Sequence, residues 1–322
     1  MSLRVRSVLL TVLVVCGIAV AGCGGSSSSG GKTSTAGGAK PKAVNIGVVL
    51  PPTTNEYWRA MEDGVRFEAS RLGADVMVQT TTDYSAEEAV AKLQDMLTKG
   101  ANAIFVVAYD PGFQPILDRA IAQGIPVVCA DSCVPRWTRY TSFVRTNNLL
   151  AGQIAGRFIS DVTRGKGTVG MISCTVAITS CADRNRGVKS ALAPSLRVFG
   201  PIGDACDQEH GVTYAQNVMT AAKGLSAIFT GCDQLALAAD RVGAGKVPVV
   251  GIDGASEALA AIQAGQQLAT VAQFPIKMGE IGVRQIVAAV RGGSVTKDID
   301  SGAELVTKKN VADFVAKNSV PQ

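Results

Sequence analysis

From Val44 onward the chain alternates between short apolar runs and longer segments in which apolar residues recur at helical spacing. The first run, VNIGVVL at 44 to 50, ends in Pro51, Pro52 and a polar turn, followed by the adjacent aromatics Tyr57 and Trp58. The segment from there to Gly73 sets Trp58, Met61, Val65, Ala69 and Leu72 along one helical face, and Gly73 ends it. A strand, DVMVQTT, comes next. Ser85 and Glu88 then stand in capping-box spacing ahead of a helix striped by Ala89, Leu93, Met96 and Leu97. AIFVVA at 103 to 108 and IPVVCA at 125 to 130 are unbroken apolar runs, as strands covered on both faces require, with a short helix near 113 to 123 between them.

After TSFVRTNN at 141 to 148 the pattern restarts. A helix carrying Ile154, Phe158 and Ile159 leads to the strand GTVGMIS and then to a helix in which Val188 and Leu192 face a core. LRVFG, LSAIFT, VPVVGI and QLATVAQ are further strands. Strand–helix units in series specify parallel sheets with right-handed crossovers, so the fold class predicted is α/β, with two similar doubly wound lobes. The helix IKMGEIGVRQIVAAVRGG and the segment ELVTKKNVADFV remain, and the pattern leaves open which lobe each joins.

Parallel sheets gather the turns that follow their strands at one edge, where open α/β folds bind ligands. The polar residues at those turns are Asn55, Asp110, Asp131, Arg184, Asp233, Asp253 and Gln273, with Ser132 next to Asp131. Tyr57 and Trp58 have two readings, the first core turn of a helix or an aromatic platform facing a ligand. Two lobes facing each other would bring the whole set into one cleft. Its chemistry is recognition: carboxylates accept hydroxyl hydrogen bonds, Arg and Asn donate in forks, and flat rings pack on the apolar face of a sugar. Catalysis is not expected. No GxSxG, HExxH, GxxxxGK[ST] or post-strand GxGxxG occurs, and the single histidine, His210, has no evident partner.

The first residues supply an address. Arg4 and Arg6 precede an apolar run from Val8 to Ala21, a secretory signal over residues 1 to 22. Val20, Ala21, Gly22 and Cys23 resemble the lipobox of bacterial lipoproteins, which makes Cys23 the expected site of lipidation. Residues 23 to 42 then read as lipid anchor and Gly/Ser-rich tether. The expected product is exported and anchored at the cell membrane, on its periplasmic or outer face.

Lys and Arg number 31 against 26 Asp and Glu, a net charge of +5, and no basic run with interleaved aromatics points to nucleic acid. Of eight cysteines, six lie beyond the address: Cys129, Cys133, Cys174, Cys181, Cys206 and Cys232. An even number in an exported chain suggests disulfides, and six cysteines allow fifteen connectivities. Proximity favours Cys129 with Cys133 and Cys174 with Cys181, leaving Cys206 with Cys232. With one histidine and no CxxC, no metal is expected, nor any cofactor.

From about residue 44 to 306 the chain resembles the ribose- and galactose-type periplasmic binding proteins, the sugar receptors of ATP-binding-cassette importers. The segments that carry the likeness run in the family's order: IGVVLPPTTNEYW, GANAIFVVAYD, GIPVVCADS, DRNRG, FTGCDQLAL, VPVVGIDGASEAL and LATVAQFPIKMG. The resemblance implies a three-crossing hinge near 145 to 149, 271 to 275 and 299 to 304. It also implies a first lobe of 43–147 plus 274–300 and a second of 148–273 plus 301–322. By position it makes Asn55, Tyr57 and Trp58 first-lobe contacts, Asp131 and Asp253 the hydroxyl-binding aspartates, Arg184 the second-lobe arginine and Gln273 the glutamine beside the last hinge. The implied partners are a small ligand such as a monosaccharide and a membrane permease, the receptor acting as a monomer. Ser132 stands where the ribose-type pattern has arginine, Cys232 where it has asparagine, and Cys206 where it often has an aromatic; Pro51 and Pro52 stiffen a turn that is usually small and polar. These departures keep open a polyol, a modified sugar or a signalling furanone as ligand.

Overall fold

The apolar runs form strands and the periodic segments form helices. The structure is a computed structural model and describes residues 42–175, 178–243 and 245–318. The expected signal, Cys23 and all of the tether but Lys42 lie outside the described residues. In chain order the elements of the first half are β1 (Asn45–Leu50), α1 (Glu56–Leu72), β2 (Asp75–Thr80), α2 (Ala86–Thr98), β3 (Ala103–Val106), α3 (Gln114–Ala122), β4 (Val127–Ala130) and β5 (Ser142–Arg145). The second series is α4 (Asn148–Thr163), β6 (Thr168–Ile172), α5 (Thr179–Ala191), β7 (Arg197–Ile202), α6 (Gln208–Ala221), β8 (Leu225–Thr230), α7 (Asp233–Gly243), β9 (Val249–Asp253), α8 (Ser256–Ala264) and β10 (Ala269–Ala272). The chain ends in α9 (Pro275–Arg291), β11 (Asp298–Asp300), β12 (Glu304–Thr307) and α10 (Val311–Asn318).

Among the described residues the strands make two six-stranded sheets, ordered β11-β5-β4-β3-β1-β2 and β12-β10-β9-β8-β6-β7. All pairings are parallel except β10 with β12. Each sheet is the middle layer of one lobe. Phe105, Val128 and Met278 belong to the core on one face of the first sheet, and Ile104, Val127 and Phe113 to the core on the other. The two segments that sequence pattern left unplaced part company. Helix α9 packs on the first lobe, against α1 and beneath β3, β4 and β5, while β12 joins the second sheet through β10.

The chain passes between lobes after β5, after β10 and between β11 and β12. The first and third crossings are laced together. Ser301 N–H donates to Arg145 O at 2.9 Å, Asn147 N–H to Asp300 Oδ1 at 3.0 Å, and the Thr146 and Ser301 hydroxyls lie 3.4 Å apart.

One close helix pair seats the cleft-edge helix of each lobe. A Cβ on Gly64 of α1 would stand 2.1 Å from Ile276 O of α9, and one on Gly279 of α9 would stand 2.4 Å from Met61 O. In the second lobe the same contact joins α4 and α5, where a Cβ on Gly152 would meet Arg184 O at 2.2 Å and one on Gly187 would meet Leu149 O at 2.2 Å. Backbone cannot yield to a methyl as a flexible side chain can. Gly64→Ala is therefore expected to lower unfolding free energy by about 1–3 kcal/mol. Gly293→Ala, whose nearest neighbour is 3.5 Å away, should stay within about 1 kcal/mol of the parent in the same urea titrations.

Candidate functional site

Helix α1 begins where β1 ends, and its cap fixes the first residues of the site. Asn55 Oδ1 accepts from Tyr57 N–H at 3.0 Å, satisfying one of the free donors of the helix start. The Tyr57 side chain then crosses the carboxyl edge of the first sheet and donates its hydroxyl to Asp131 Oδ1 at 2.8 Å, with Gln273 Oε1 3.4 Å away. Asp131 follows β4 in a left-handed conformation, φ 59°, and its second carboxylate oxygen accepts from the Ser132 hydroxyl at 2.9 Å.

The second lobe answers with a parallel arrangement. Asp253 ends β9 at φ 137°. Its Oδ1 accepts from Gln273 Nε2 at 2.7 Å and from Arg184 Nη1 at 3.3 Å. Arg184, 6 % exposed, also donates through Nε to Asn148 Oδ1 and through Nη1 to Gly231 O, both at 2.7 Å. Asp131, Tyr57, Gln273, Asp253, Arg184 and Asn148 thus form one hydrogen-bonded chain from the first lobe to the second. Two cavities flank it. One, of about 830 Å³, is lined by Asn55, Tyr57, Asp233, Asp253 and Gln273 among others. The other, of about 480 Å³, is lined by Asp131, Ser132, Asn148 and the residues between β4 and β5.

Burial raises the pKa of Tyr57 far above the ordinary phenol value, and the nearby Asp131 and Asp253 charges add to it, so the hydroxyl remains a donor. Burial also pushes Asp253 up to about 6; Arg184 and Gln273 oppose that shift and Asp131 adds to it. Asp233, fully buried at the start of α7, accepts from Gly254 and Ala255 N–H at 2.8 Å through Oδ2, while Oδ1 has no partner. Burial and the Asp253 charge push it up to about 7. It holds the turn after β9, and with it Asp253, in place.

The remaining candidates separate. Trp58 is 8 % exposed, packs in the first-lobe core with Met61 and Val65, and donates from Nε1 to the Tyr84 hydroxyl at 2.9 Å. Neither it nor Arg184 is among the residues that line the two cavities. Asp110 is exposed and caps the short turn before α3, accepting from Gly112 N–H at 2.7 Å, away from the chain of contacts. The sulfurs of Cys129–Cys133, Cys174–Cys181 and Cys206–Cys232 are bonded. Cys206, Cys232 and Asp253 form the one cluster of metal-ligand type among the described residues, but with its two sulfurs joined it offers no thiolate to a cation.

Three residues in or beside the site were not among the sequence candidates. Asn148 orients Arg184; the signal was the Asn147–Asn148 pair, since Asn147 caps α4 through Leu150 N–H and leaves its neighbour spare. Glu56 accepts from Ser256 N–H at 2.5 Å, joining the start of α1 in the first lobe to the start of α8 in the second. Tyr84 holds Trp58 and meets the Tyr109 ring edge-on at 5.9 Å.

A family model described as periplasmic binding protein domain matches residues 46–294. The chain belongs to that family. Its members are solute-binding proteins of transporters, not enzymes, and act outside the cytoplasm. The ribose import binding protein of Escherichia coli (strain K12) is 28% identical over 271 residues, covering 82% of this chain and 90% of that protein. An ABC transporter solute-binding protein from Mycobacterium smegmatis, solved with bound glycerol, superposes with a TM-score of 0.77 at 28% identity over 85% of this chain and 97% of its own. One from Actinobacillus succinogenes 130z, solved with bound D-allose, has a TM-score of 0.79 at 22% identity, covering 84% and 99%. These agree with the two-lobed architecture.

Raised carboxyl pKa values set the pH dependence. Asp240 of α7 has a buried oxygen without a partner, and burial, with Asp233 adding, pushes its pKa from 3.8 to about 8. A group whose folded pKa exceeds its unfolded value stabilises fully below the unfolded value and loses that contribution as pH rises through the folded one. Asp233 and Asp253 act in the same sense. Urea unfolding free energy should therefore fall from pH 5 to pH 8. Asp240→Asn should make that slope shallower, whatever constant offset its amide introduces.

Proposed function

We propose that this family member is an exported, lipid-anchored receptor that captures a small polyhydroxylated ligand between its lobes. It then presents the closed form, as a monomer, to the permease of an ATP-binding-cassette importer. The observation that carries the reading is the chain of contacts from Asp131 through Tyr57, Gln273 and Asp253 to Arg184, which joins both lobes between the two cavities. The E. coli relative is named for ribose import, and a monosaccharide or similar molecule suits a site of carboxylates, an amide and a guanidinium. Asn55, Tyr57, Asp131, Arg184, Asp253 and Gln273 are its proposed contacts, with Ser132 bracing Asp131. Lipidation at Cys23 rests on the lipobox-like junction, and the tether would let the receptor reorient above the membrane. The Cys206–Cys232 bond, with Cys206 in the cavity wall, favours a polyol or modified sugar over ribose, since a cross-link stands where the ribose-type pattern has an asparagine and often an aromatic.

Hinge closure follows from the crossings: three short segments join the lobes, and Glu56 with Ser256 bridges them at the rim. Thermal denaturation across a library of sugars and polyols should identify at least one that raises the melting temperature. Asp131→Ala or Arg184→Ala should abolish that shift, because a hydrogen bond to a charged group is worth about 1.5–3 kcal/mol. Stabilisation by another metabolite class alone would overturn the carbohydrate assignment and leave the receptor standing.

Glu56→Gln should speed release of that ligand severalfold in stopped-flow measurements. Association, which precedes closure, should change little.

A further inference from the structure

The connections at the edge of the second sheet that lies away from the cleft carry one sign of charge. Five run from a helix into a strand of that sheet, residues 164–167, 192–196, 222–224, 244–248 and 265–268, and the sixth, 308–310, follows β12. Because β12 is antiparallel to β10, with Thr307 opposite Ala269, its end falls at the same edge. These six connections hold Arg164, Lys166, Lys223, Lys246, Lys308 and Lys309 and no acidic residue. All six basic residues are exposed, and among the described residues none is in an ion pair.

Sheet order sets them in a row. The strand ends follow one another from β12 through β10, β9, β8 and β6 to β7, and at about 4.8 Å per strand the row is ~24 Å long. Thr168, at the start of β6, donates its hydroxyl to Lys223 O at 2.7 Å, and Arg197 N–H donates to Gly167 O at 3.0 Å, which ties neighbouring connections together. Arg197, also exposed, opens β7 and extends the row. The adjoining helix turns add Lys189 and Arg241 against Asp161, Asp240 and Asp313. Burial pushes Asp240 up to about 8, so it carries little charge at pH 7.

Basic residues at helix C-termini meet the negative end of the helix dipole, but that does not account for this row. The first lobe follows the same strand–helix plan, and its helix-to-strand connections hold only Lys99 and Lys297 as basic residues. Both are engaged: Lys99 pairs with Asp95 at 2.7 Å, and Lys297 Nζ donates to Thr138 O at 2.7 Å. Unpaired charge is thus a property of one lobe. Two exposed valines, Val162 and Val198, stand within two residues of Arg164 and Arg197.

Cations beside exposed apolar side chains suit a surface that is anionic outside and apolar just beneath. We infer that this edge of the second lobe docks on the anionic headgroups of a phospholipid bilayer, the six side chains meeting phosphates and the two valines entering between them. A soluble polyanion would use the charge and leave the valines without a role. The tether expected over residues 23–42 would reach about 70 Å at full extension, against a radius of gyration of roughly 19 Å for a domain of this size. Anchoring through β1 therefore leaves the second lobe free to turn to the same membrane. The inference goes beyond the solute-receptor reading and holds whichever solute is bound.

The test is co-sedimentation of the mature chain from residue 24, which keeps every described element and carries no lipid, with vesicles of phosphatidylcholine alone or of equal parts phosphatidylcholine and phosphatidylglycerol. Binding to the anionic vesicles should be tenfold or more tighter, and it should be lost in about 1 M salt, where the Debye length is about 3 Å. Lys166→Glu with Lys223→Glu should weaken it at least tenfold. The same charge change on the first lobe, Lys42→Glu with Lys99→Glu, should leave it within about twofold. Val162→Ser with Val198→Ser should weaken vesicle binding severalfold and leave any binding to polyphosphate unchanged, with circular dichroism confirming the fold of each variant. Equal binding to the two kinds of vesicle overturns the proposal. Equal loss in the two charge-reversed pairs overturns the assignment to this row, the attraction then being one of net charge. Full vesicle binding by the valine variant, together with tighter binding to polyphosphate than to vesicles, overturns the bilayer in favour of a soluble polyanion. Because the chain tested carries neither lipid nor solute, these outcomes are independent of lipidation at Cys23 and of the ligand site.

Discussion

The constraint on which the site depends is that two carboxylates, one from each lobe, are held within one hydrogen-bonded chain. Asp131 and Asp253 end parallel strands in different sheets, and Tyr57 with Gln273 spans the gap between them. Everything that positions these four residues becomes part of the site. Tyr57 stands on α1, which can approach α9 only because Gly64 and Gly279 carry no side chain. Arg184 stands on α5, which approaches α4 through Gly152 and Gly187, and that approach brings Asn148 within 2.7 Å of the guanidinium. The two lobes use the same device: a helix pair without intervening side chains sets the height of a polar residue over the sheet edge. Packing that would otherwise count only as stability thereby also sets where these polar groups stand.

The hinge connects this arrangement to motion. Asn148 belongs both to the first crossing, where its Nδ2 donates to Thr146 O at 3.2 Å, and to the Arg184 environment. Gln273 belongs both to the second crossing and to the Asp253 contact. A rotation of one lobe on the other would therefore move residues that touch the proposed binding groups. The Glu56–Ser256 contact lies beyond them at the rim, where the start of α8 offers N–H groups and the positive end of its dipole to a carboxylate from the facing lobe. A bond of this kind would form only when the lobes approach, so it would add to a closed form from the edge of the cavity.

Much of this was legible in the chain. Unbroken apolar runs separated by helical stripes specify parallel sheets, and parallel sheets put Asp131, Asp253 and Gln273 at strand ends, whereas Arg184, expected at such a turn, stands within α5. Trp58 shows where positional analogy and periodicity disagreed. Adjacent residues on a helix point about 100° apart, so Tyr57 and Trp58 leave α1 in different directions. The stripe of Met61, Val65 and Ala69 points Trp58 to the core, and in the structure it packs there. Glu56, Asn148 and Tyr84 were not legible in the same way, because their partners Ser256, Arg184 and Trp58 depend on how two lobes or two loops meet. Such contacts leave no period in the sequence. Asp233 was found for its position in the motif, but its role in holding the turn at Gly254 and Ala255 needed the fold.

The backbone shows how firmly the carboxylates are placed. Among the described residues, non-glycine positive φ values occur at Asp131, Arg136, Arg164 and Asp253. Arg164 ends a helix, where that conformation is an ordinary cap. Asp131 and Asp253 instead carry it at the two strand ends that face the cleft. Aspartate tolerates the left-handed well at φ 59° better than most residues, but φ 137° lies outside it and persists only when the surroundings fix it. Around Asp253 those surroundings are Gln273, Arg184 and the turn anchored by Asp233. Around Asp131 they are Tyr57, Ser132 and the Cys129–Cys133 bond that closes the loop containing it. The other two disulfides also sit at the carboxyl ends of strands, at the turns after β6, β7 and β8. Cross-links and strain are thus concentrated on the loops that form the cleft. That is the distribution expected where binding depends on a site being ordered before the ligand arrives, because loops already fixed lose little entropy on binding.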